Sequence, residues 1–238
     1  MLYGGTEKNR EESVAVKEKK YDGVIFDLDG TLLNTLEDLK NSVNYALSVC
    51  GMPQRSYEEV RHFVGNGVKR LMELSVPGGF DNPDFERAYG LFREHYVKHC
   101  NDLTDLYPGI RELLKTLKRE GFRMAIVSNK YYEGVQALKE QYFTEYLDVA
   151  IGEKEGIRKK PAPDTVLAAL KELGLAKERA VYVGDSEVDL ATAKNTGMDC
   201  ITVGWGFRTR AEQERAGAKV FVDQPMEIMN LLYEEEQT

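Results

Sequence analysis

Short, nearly continuous apolar runs recur along this chain, and several stop abruptly at a polar residue. Gly23-Val24-Ile25-Phe26 ends at Asp27, and Met124-Ala125-Ile126-Val127 ends at Ser128. Val149-Ala150-Ile151, Val181-Tyr182-Val183, Cys200-Ile201-Thr202-Val203 and Val220-Phe221-Val222 follow the same pattern. Runs this short and this uniformly apolar predict strands buried on both faces. Between them the spacing becomes helical. Residues 110–120 bring Ile110, Leu113, Leu114 and Leu117 to one face and stop at Gly121. Residues 164–173 group Val166, Leu167, Leu170 and Leu173 before Gly174, and residues 187–196 end at Gly197. Strands alternating with helices predict an α/β fold with a doubly wound parallel sheet. Right-handed crossovers then place every strand's C-terminal end on one rim.

The alternation breaks between Thr35 and Thr104, where every pattern is helical. Thr35-Leu36-Glu37-Asp38 resembles a capping box, followed by a stripe of Leu36, Leu39, Val43, Ala46 and Leu47. Ser56-Tyr57-Glu58-Glu59 is a second such box, and Asn82-Pro83 can open a third long helix with proline at its first position. An all-helical block inserted after the first strand reads as a cap domain. The expected division is a core of residues 21–34 and 105–238, a helical cap of residues 35–104, and a flexible N-terminal extension of residues 1–20.

Composition narrows the partners. The chain has 238 residues, enough for a core plus a sizeable insertion, and a formal charge of -8. That balance suits neither nucleic acid nor an anionic membrane surface, so an anionic substrate needs local cations. Cys50, Cys100 and Cys200 are widely spaced and odd in number, as in reduced thiols. The first twenty residues carry no apolar signal-peptide core, and no apolar run is long enough to span a bilayer, so a cytoplasmic location is expected.

In a doubly wound sheet ligands sit beyond the carboxyl ends of the strands. Asp27-Leu28-Asp29-Gly30-Thr31 follows the first run, Ser128-Asn129-Lys130 the second, and Gly184-Asp185, with Asp189 beyond, the fourth. The loop before the 164–173 helix holds Lys159-Lys160-Pro161. Asp27, Asp29 and Asp185 predict a carboxylate cluster, which repels itself unless a cation neutralises it. Hard oxygen ligands suit Mg²⁺, which takes a few carboxylates together with substrate phosphate. Lys160 and Ser128 can hold the other phosphoryl oxygens. In the cap, Gly65-Asn66-Gly67-Val68-Lys69-Arg70 sets a glycine turn and two cations at a helix start, a candidate anion site. His95 and His99 stand at metal-pair spacing without a third ligand, and are read as packing or exposed residues.

These four segments, in order, resemble the motifs of the haloacid dehalogenase-like hydrolase superfamily over roughly residues 21–205. Tyr107-Pro108-Gly109, Lys160-Pro161-Ala162-Pro163 and Gly204-Trp205-Gly206-Phe207-Arg208 resemble its phosphoglycolate phosphatase branch. The resemblance implies a Rossmann-like core with a helical cap, and a two-step phosphoryl transfer from a small phosphorylated metabolite to the protein and then to water. Asp27 would form an aspartyl-phosphate, and Asp29 would serve the leaving oxygen and then the attacking water. It implies Mg²⁺ held by Asp27, the Asp29 carbonyl and Asp185. Asp189 would orient Lys160 or a water of the cation, and Thr31 and Asn129 would position the loop and the phosphate. Gly65, Asn66, Gly67, Lys69 and Arg70 would contact substrate.

A phosphosugar mutase and a pyrophosphatase share the four motifs. The mutases usually carry an acidic residue just before the metal-binding aspartate, where this chain has Gly184. A non-catalytic binding protein on the same fold is the remaining alternative, and its motif residues would not need to be intact.

Overall fold

The structure is a computed structural model that describes residues 18–147 and 149–234. Its strands are β1 (Gly23–Phe26), β2 (Leu33–Asn34), β3 (Asp105–Leu106), β4 (Arg123–Tyr131), β5 (Val149–Glu153), β6 (Ala180–Gly184), β7 (Cys200–Val203) and β8 (Phe221–Val222). The helices are α1 (Leu36–Val49), α2 (Tyr57–Phe63), α3 (Val68–Ser75), α4 (Phe85–His99), α5 (Ile110–Arg119), α6 (Tyr132–Tyr142), α7 (Asp164–Leu173), α8 (Glu187–Thr196), α9 (Arg210–Arg215) and α10 (Glu227–Leu231).

Six strands form one parallel sheet in the order β5-β4-β1-β6-β7-β8. The apolar first run is central because it is buried from both sides. Val24 and Phe26 enter the core shared with α5, while Ile25 enters the opposite core with Val166 and Leu170 of α7. This is the two-residue alternation of a strand. Phe26 is in register with Ile126 of β4 and Val183 of β6. The residues after those three positions therefore emerge together, at the place where strand order reverses.

The insertion leaves and rejoins the core through a two-stranded antiparallel ribbon of β2 and β3, Leu33 opposite Leu106. Two-residue strands have no periodicity for a sequence to show. Within the insertion α1 and α4 pack along one another over a core that includes Leu36, Val43, Leu47, Phe92 and Tyr96.

Several expectations need correction. Thr35 does not close a capping box; its hydroxyl donates to Asp29 Oδ1 at 2.7 Å. Asp38, the other half of that expected box, is buried and accepts from the backbone of Leu103 and Thr104 and from the Thr104 hydroxyl at 2.8 Å. The local cap loses to contacts that fasten the insertion's two ends. Pro83 precedes its helix, which starts at Phe85 after Asn82 Oδ1 accepts the Asp84 N–H at 2.9 Å. Leu167 is 49% exposed, since α7 turns Thr165, Val166, Ala169, Leu170 and Leu173 inward instead. Ser56 and Glu59 do form their capping box. Of the expected flexible extension, residues 1–17 lie outside the described residues. Residues 18–20 are fastened to the C-terminal segment, with Lys19 bridging Tyr233 and the Lys20 N–H donating to Leu232 O at 2.9 Å.

Asp38→Ala should therefore cost about 2–4 kcal/mol in urea unfolding, because several buried donors lose a charged acceptor together. A change under about 1 kcal/mol would mean that the two ends of the insertion are held by other contacts.

Candidate active site

Asp27 leaves the end of β1 at 8% exposure, and its N–H donates to Val183 O at 2.9 Å. Its Oδ1 takes the Leu28 N–H at 2.7 Å and lies 2.8 Å from Lys160 Nζ. The Lys160 ammonium also donates to Asp189 Oδ1 at 2.8 Å and to the Tyr182 hydroxyl at 3.0 Å. The carboxylates of Asp27, Asp185 and Asp189 lie within 4.8 Å of one another.

The cluster thus differs from the expected one: Asp189 replaces Asp29. The Asp29 side chain turns to the opposite wall, where Thr35 Oγ1 and Lys130 Nζ both meet its Oδ1, at 2.7 Å and 3.4 Å. Among the described residues its Oδ2 takes no hydrogen bond. Gly30, in the left-handed region, turns the chain directly after the two aspartates. A Cβ there would stand 2.7 Å from Asp185 Oδ2.

Charge decides what this cluster can hold. Burial first, then Asp189, pushes the Asp27 carboxyl well above the usual carboxylate range, with Lys160 opposing. Burial and Asp189 push Asp185 up to about 7, against the Phe207 N–H, Arg208 and Lys160. Burial also acts to raise Asp189, but Lys160 outweighs it and the carboxyl stays below its ordinary value. One ammonium does not balance three buried carboxylates, so the site fits a divalent cation.

The free oxygens fit as well. Asp189 is committed through both oxygens, to Lys160 and Tyr182 on one side and to the Asp185 N–H and Ser186 on the other. Among the described residues Asp27 Oδ2, Asp185 Oδ1 and the Asp29 carbonyl carry no hydrogen bond. They can act as ligands, with Asp189 holding Lys160 and the Asp185 loop in place.

A stability consequence follows from Asp185. Its ordinary value is 3.8, and the folded protein holds it at about 7. Between these values the folded state keeps a proton that the unfolded chain has released, so stability falls as pH rises through this window. Chelated protein should melt lower at pH 8 than at pH 5.5, and Mg²⁺ should raise the melting temperature more at pH 8. Thermal melts with and without chelator test this, and an Mg²⁺ effect equal at both pH values would contradict it.

The remaining expected residues divide between crevice and exterior. Ser128 and Asn129 lie within β4 rather than after it, where its pairing to β5 becomes irregular, and both line the crevice. Ser128 Oγ accepts the Lys130 N–H at 3.1 Å, so its own proton remains to be donated. Asn129 accepts the Lys160 N–H at 2.8 Å and donates to the Lys160 carbonyl and to Gly65 O, at 3.0 and 3.1 Å. It thereby joins the lysine loop to the insertion. Thr31 is buried away from the crevice, and the Trp205 indole N–H donates to its carbonyl at 3.0 Å.

Gly65 and Gly67 line the crevice, but Asn66, Lys69 and Arg70 do not. Asn66 accepts from Lys159 Nζ at 3.1 Å through its carbonyl. Lys69 lies over the Phe80 ring and Arg70 pairs with Glu73 at 2.6 Å, because α3, which begins just after Gly67, turns Val68 and Leu71 inward. His95 meets Ser42 Oγ at 3.0 Å and stacks on Tyr45 and His99, as packing residues do.

Three contributors stand within segments that the sequence singles out, Ser128-Asn129-Lys130 and Gly204-Trp205-Gly206-Phe207-Arg208, but had no role assigned there. Lys130 is buried, and its ammonium is bonded to Tyr96 of α4. Burial works against its charge, but Asp29 and Tyr96 hold the ammonium above its ordinary value. Arg208 donates to Glu187 and to the Arg61 and Val64 carbonyls at 2.8 and 2.7 Å, closing the C-terminal end of α2 onto the core. Phe207 packs into the insertion's core, while its N–H donates to Asp185 Oδ2 at 2.6 Å. The readable hint was a lysine that follows an apolar strand, and a Gly-Phe-Arg sequence just beyond β7.

Comparison with known proteins agrees with this geometry. The haloacid dehalogenase-like hydrolase profile matches residues 24–203. A phosphoglycolate phosphatase of Pseudomonas putida is 35% identical over 190 residues, 77% of this chain and 70% of its own length. One from Aquifex aeolicus is 32% identical, over 77% of this chain and 85% of its own. A solved structure from Lactobacillus delbrueckii subsp. bulgaricus, provisionally described as a phosphoglycolate phosphatase, is 36% identical. It superposes with a TM-score of 0.86, covering 91% of this chain and all (100%) of that one. With the aspartates, serine and lysine gathered on one rim of a matching fold, the chain belongs to the haloacid dehalogenase-like hydrolase family.

Proposed function

We propose that this chain hydrolyses 2-phosphoglycolate in the presence of Mg²⁺, with Asp27 as the nucleophile. The observation that carries the reading is Asp27 itself. One of its carboxylate oxygens is held by Lys160 and the Leu28 N–H, and the other has no hydrogen-bond partner among the described residues. The relatives named phosphoglycolate phosphatase support the substrate. Free thiols at Cys50, Cys100 and Cys200 support a cytoplasmic setting, and no helix among the described residues is long and apolar enough to cross a membrane.

In the first step a carboxylate oxygen of Asp27 attacks phosphorus in line, and the ester P–O bond breaks as the aspartyl-phosphate forms. Asp29 Oδ2 gives the departing oxygen its proton. In the second step water attacks the same phosphorus, Asp29 takes the water's proton, and the Asp27 carboxylate is restored. Ser128 donates to a phosphoryl oxygen, and Lys160 fixes Asp27 while lending positive charge beside the reacting group. Asp27, the Asp29 carbonyl and Asp185 would hold Mg²⁺, which when bound neutralises the carboxylates and draws charge from the phosphoryl oxygens.

The mutase alternative meets a steric obstacle. A Cβ at Gly184 would stand 2.3 Å from Asp189 Cγ, so the acidic residue those enzymes usually carry has no room beside this Asp189. Phosphate release from 2-phosphoglycolate, pyrophosphate and β-glucose 1-phosphate, with Mg²⁺ and with chelator, tests the assignment. The expected result is Mg²⁺-dependent release, fastest from 2-phosphoglycolate. A preference for the hexose phosphate would overturn the substrate, and no release from any ester would leave a binding protein.

A further inference from the structure

A glycolate leaving group makes a demand that the crevice meets at one point. In 2-phosphoglycolate a single carbon separates the ester oxygen from the carboxylate. The cation that reads this carboxylate must therefore stand beside the group that protonates the ester oxygen. That group is Asp29 in the reading above, on which this inference rests.

Three cationic side chains line the crevice among the described residues: Lys130, Lys160 and Arg208. The three N–H groups of Lys160 are taken by Asp27, Asp189 and Tyr182. Arg208 is a strut between Glu187 and two carbonyls of the insertion. Lys69 and Arg70 turn outward. Lys130 remains. Its Nζ is 3.4 Å from Asp29 Oδ1 and bonded to the Tyr96 hydroxyl, which leaves one N–H with no protein acceptor among the described residues. The Tyr96 ring lies 4.8 Å from this nitrogen and both residues are buried, so the ammonium is fixed rather than mobile. Ser128, two residues earlier on the same strand, also lines the crevice and serves the phosphoryl end.

We propose that Lys130 is a specificity-determining residue. Its free N–H donates to the carboxylate of the substrate while the neighbouring Asp29 serves the ester oxygen, with Tyr96 from the insertion holding the ammonium in place.

The test compares 2-phosphoglycolate with 2-hydroxyethyl phosphate, which carries a hydroxymethyl group in place of the carboxylate. Full-length wild type, Lys130→Met and Lys130→Arg are assayed with Mg²⁺, and the quantity read is the ratio of kcat/KM for the two esters. Any general damage to Asp29 cancels in this ratio. The expected result is a wild-type preference for the acid that falls at least about tenfold in Lys130→Met, chiefly through KM, and is partly kept in Lys130→Arg. A ratio unchanged within about twofold in Lys130→Met overturns the inference. Circular dichroism checks folding. Should the methionine variant be unfolded, wild type alone decides: moving the carboxylate one carbon further, in 3-phosphooxypropanoate, should also lower kcat/KM at least about tenfold, since the ammonium cannot follow. Equal rates on the two acids overturn the inference while the phosphatase reading stands. A wild type with no preference for the carboxylate overturns the inference together with the 2-phosphoglycolate assignment, and leaves a phosphatase of another substrate.

Discussion

Asp27→Asn is expected to give a folded protein whose turnover is lower by roughly 10⁴-fold or more, since no other group can take the phosphoryl transfer over. The amide oxygen can still accept from Lys160 and from the Leu28 N–H, the partners that Asp27 Oδ1 has now. Burial and Asp189 make the native carboxylate costly to ionise in the metal-free protein. Removing it should therefore leave the chelated protein as stable as before, or raise its melting temperature. Activity within about tenfold of wild type would remove Asp27 as nucleophile. A collapse in melting temperature would mean that the carboxylate is needed for the fold.

Lys160→Met should abolish activity to a similar degree, yet change stability in the opposite direction. The ammonium joins Asp27, Asp189 and Tyr182 below the sheet rim, at 2% exposure. Without it the buried carboxylates face one another unpaired, and breaking such a set by removing one partner costs about 3–5 kcal/mol. Mg²⁺ should return part of that loss, because the divalent charge reaches Asp27 and Asp185. Urea unfolding of both variants, with and without Mg²⁺, separates the two cases. If Lys160→Met unfolded at wild-type urea concentrations, the ammonium would not be the charge that holds the cluster together.

The contrast between these variants shows where sequence reading succeeds. The apolar runs and the residues that follow them are local features, and they bring Asp27, Ser128 and Asp185 to one crevice, with Lys160 reaching it from the loop before α7. The sheet follows from the same signal, because an uninterrupted apolar run has only one stable position, buried on both faces. Local signals misled where a side chain had a better partner far away in the chain. Thr35 and Asp38 have the spacing of a helix cap. Their oxygens instead bind Asp29 and the returning end of the insertion, across as many as 66 residues. Tyr96 falls on the buried stripe of α4 with Phe85, Ala88 and Phe92, which reads only as packing. Its bond to Lys130 depends on how the insertion rests on the core. Lys69 and Arg70 failed for a simpler reason: a glycine turn fixes where a helix starts, and its rotation then decides which cations face the ligand.

Arg208 and Phe207 connect these observations. The segment that carries them supplies an N–H to Asp185, a side chain to the insertion's core and a guanidinium to the end of α2. Gly206 precedes it because a Cβ there would stand 2.3 Å from Asp185 Cβ and 2.5 Å from Gly30 O. Orientation of the cation site and seating of the insertion thus share one stretch of backbone.

Two successive in-line displacements at phosphorus each invert its configuration, so transfer through a protein carboxylate must return the original one. Hydrolysis of a phosphorothioate ester made chiral with two oxygen isotopes, by the wild-type protein with Mg²⁺ in water enriched in the third isotope, should give inorganic thiophosphate of retained configuration. Inverted thiophosphate would mean that water attacks the ester directly, and the Asp27 phosphoenzyme would not exist.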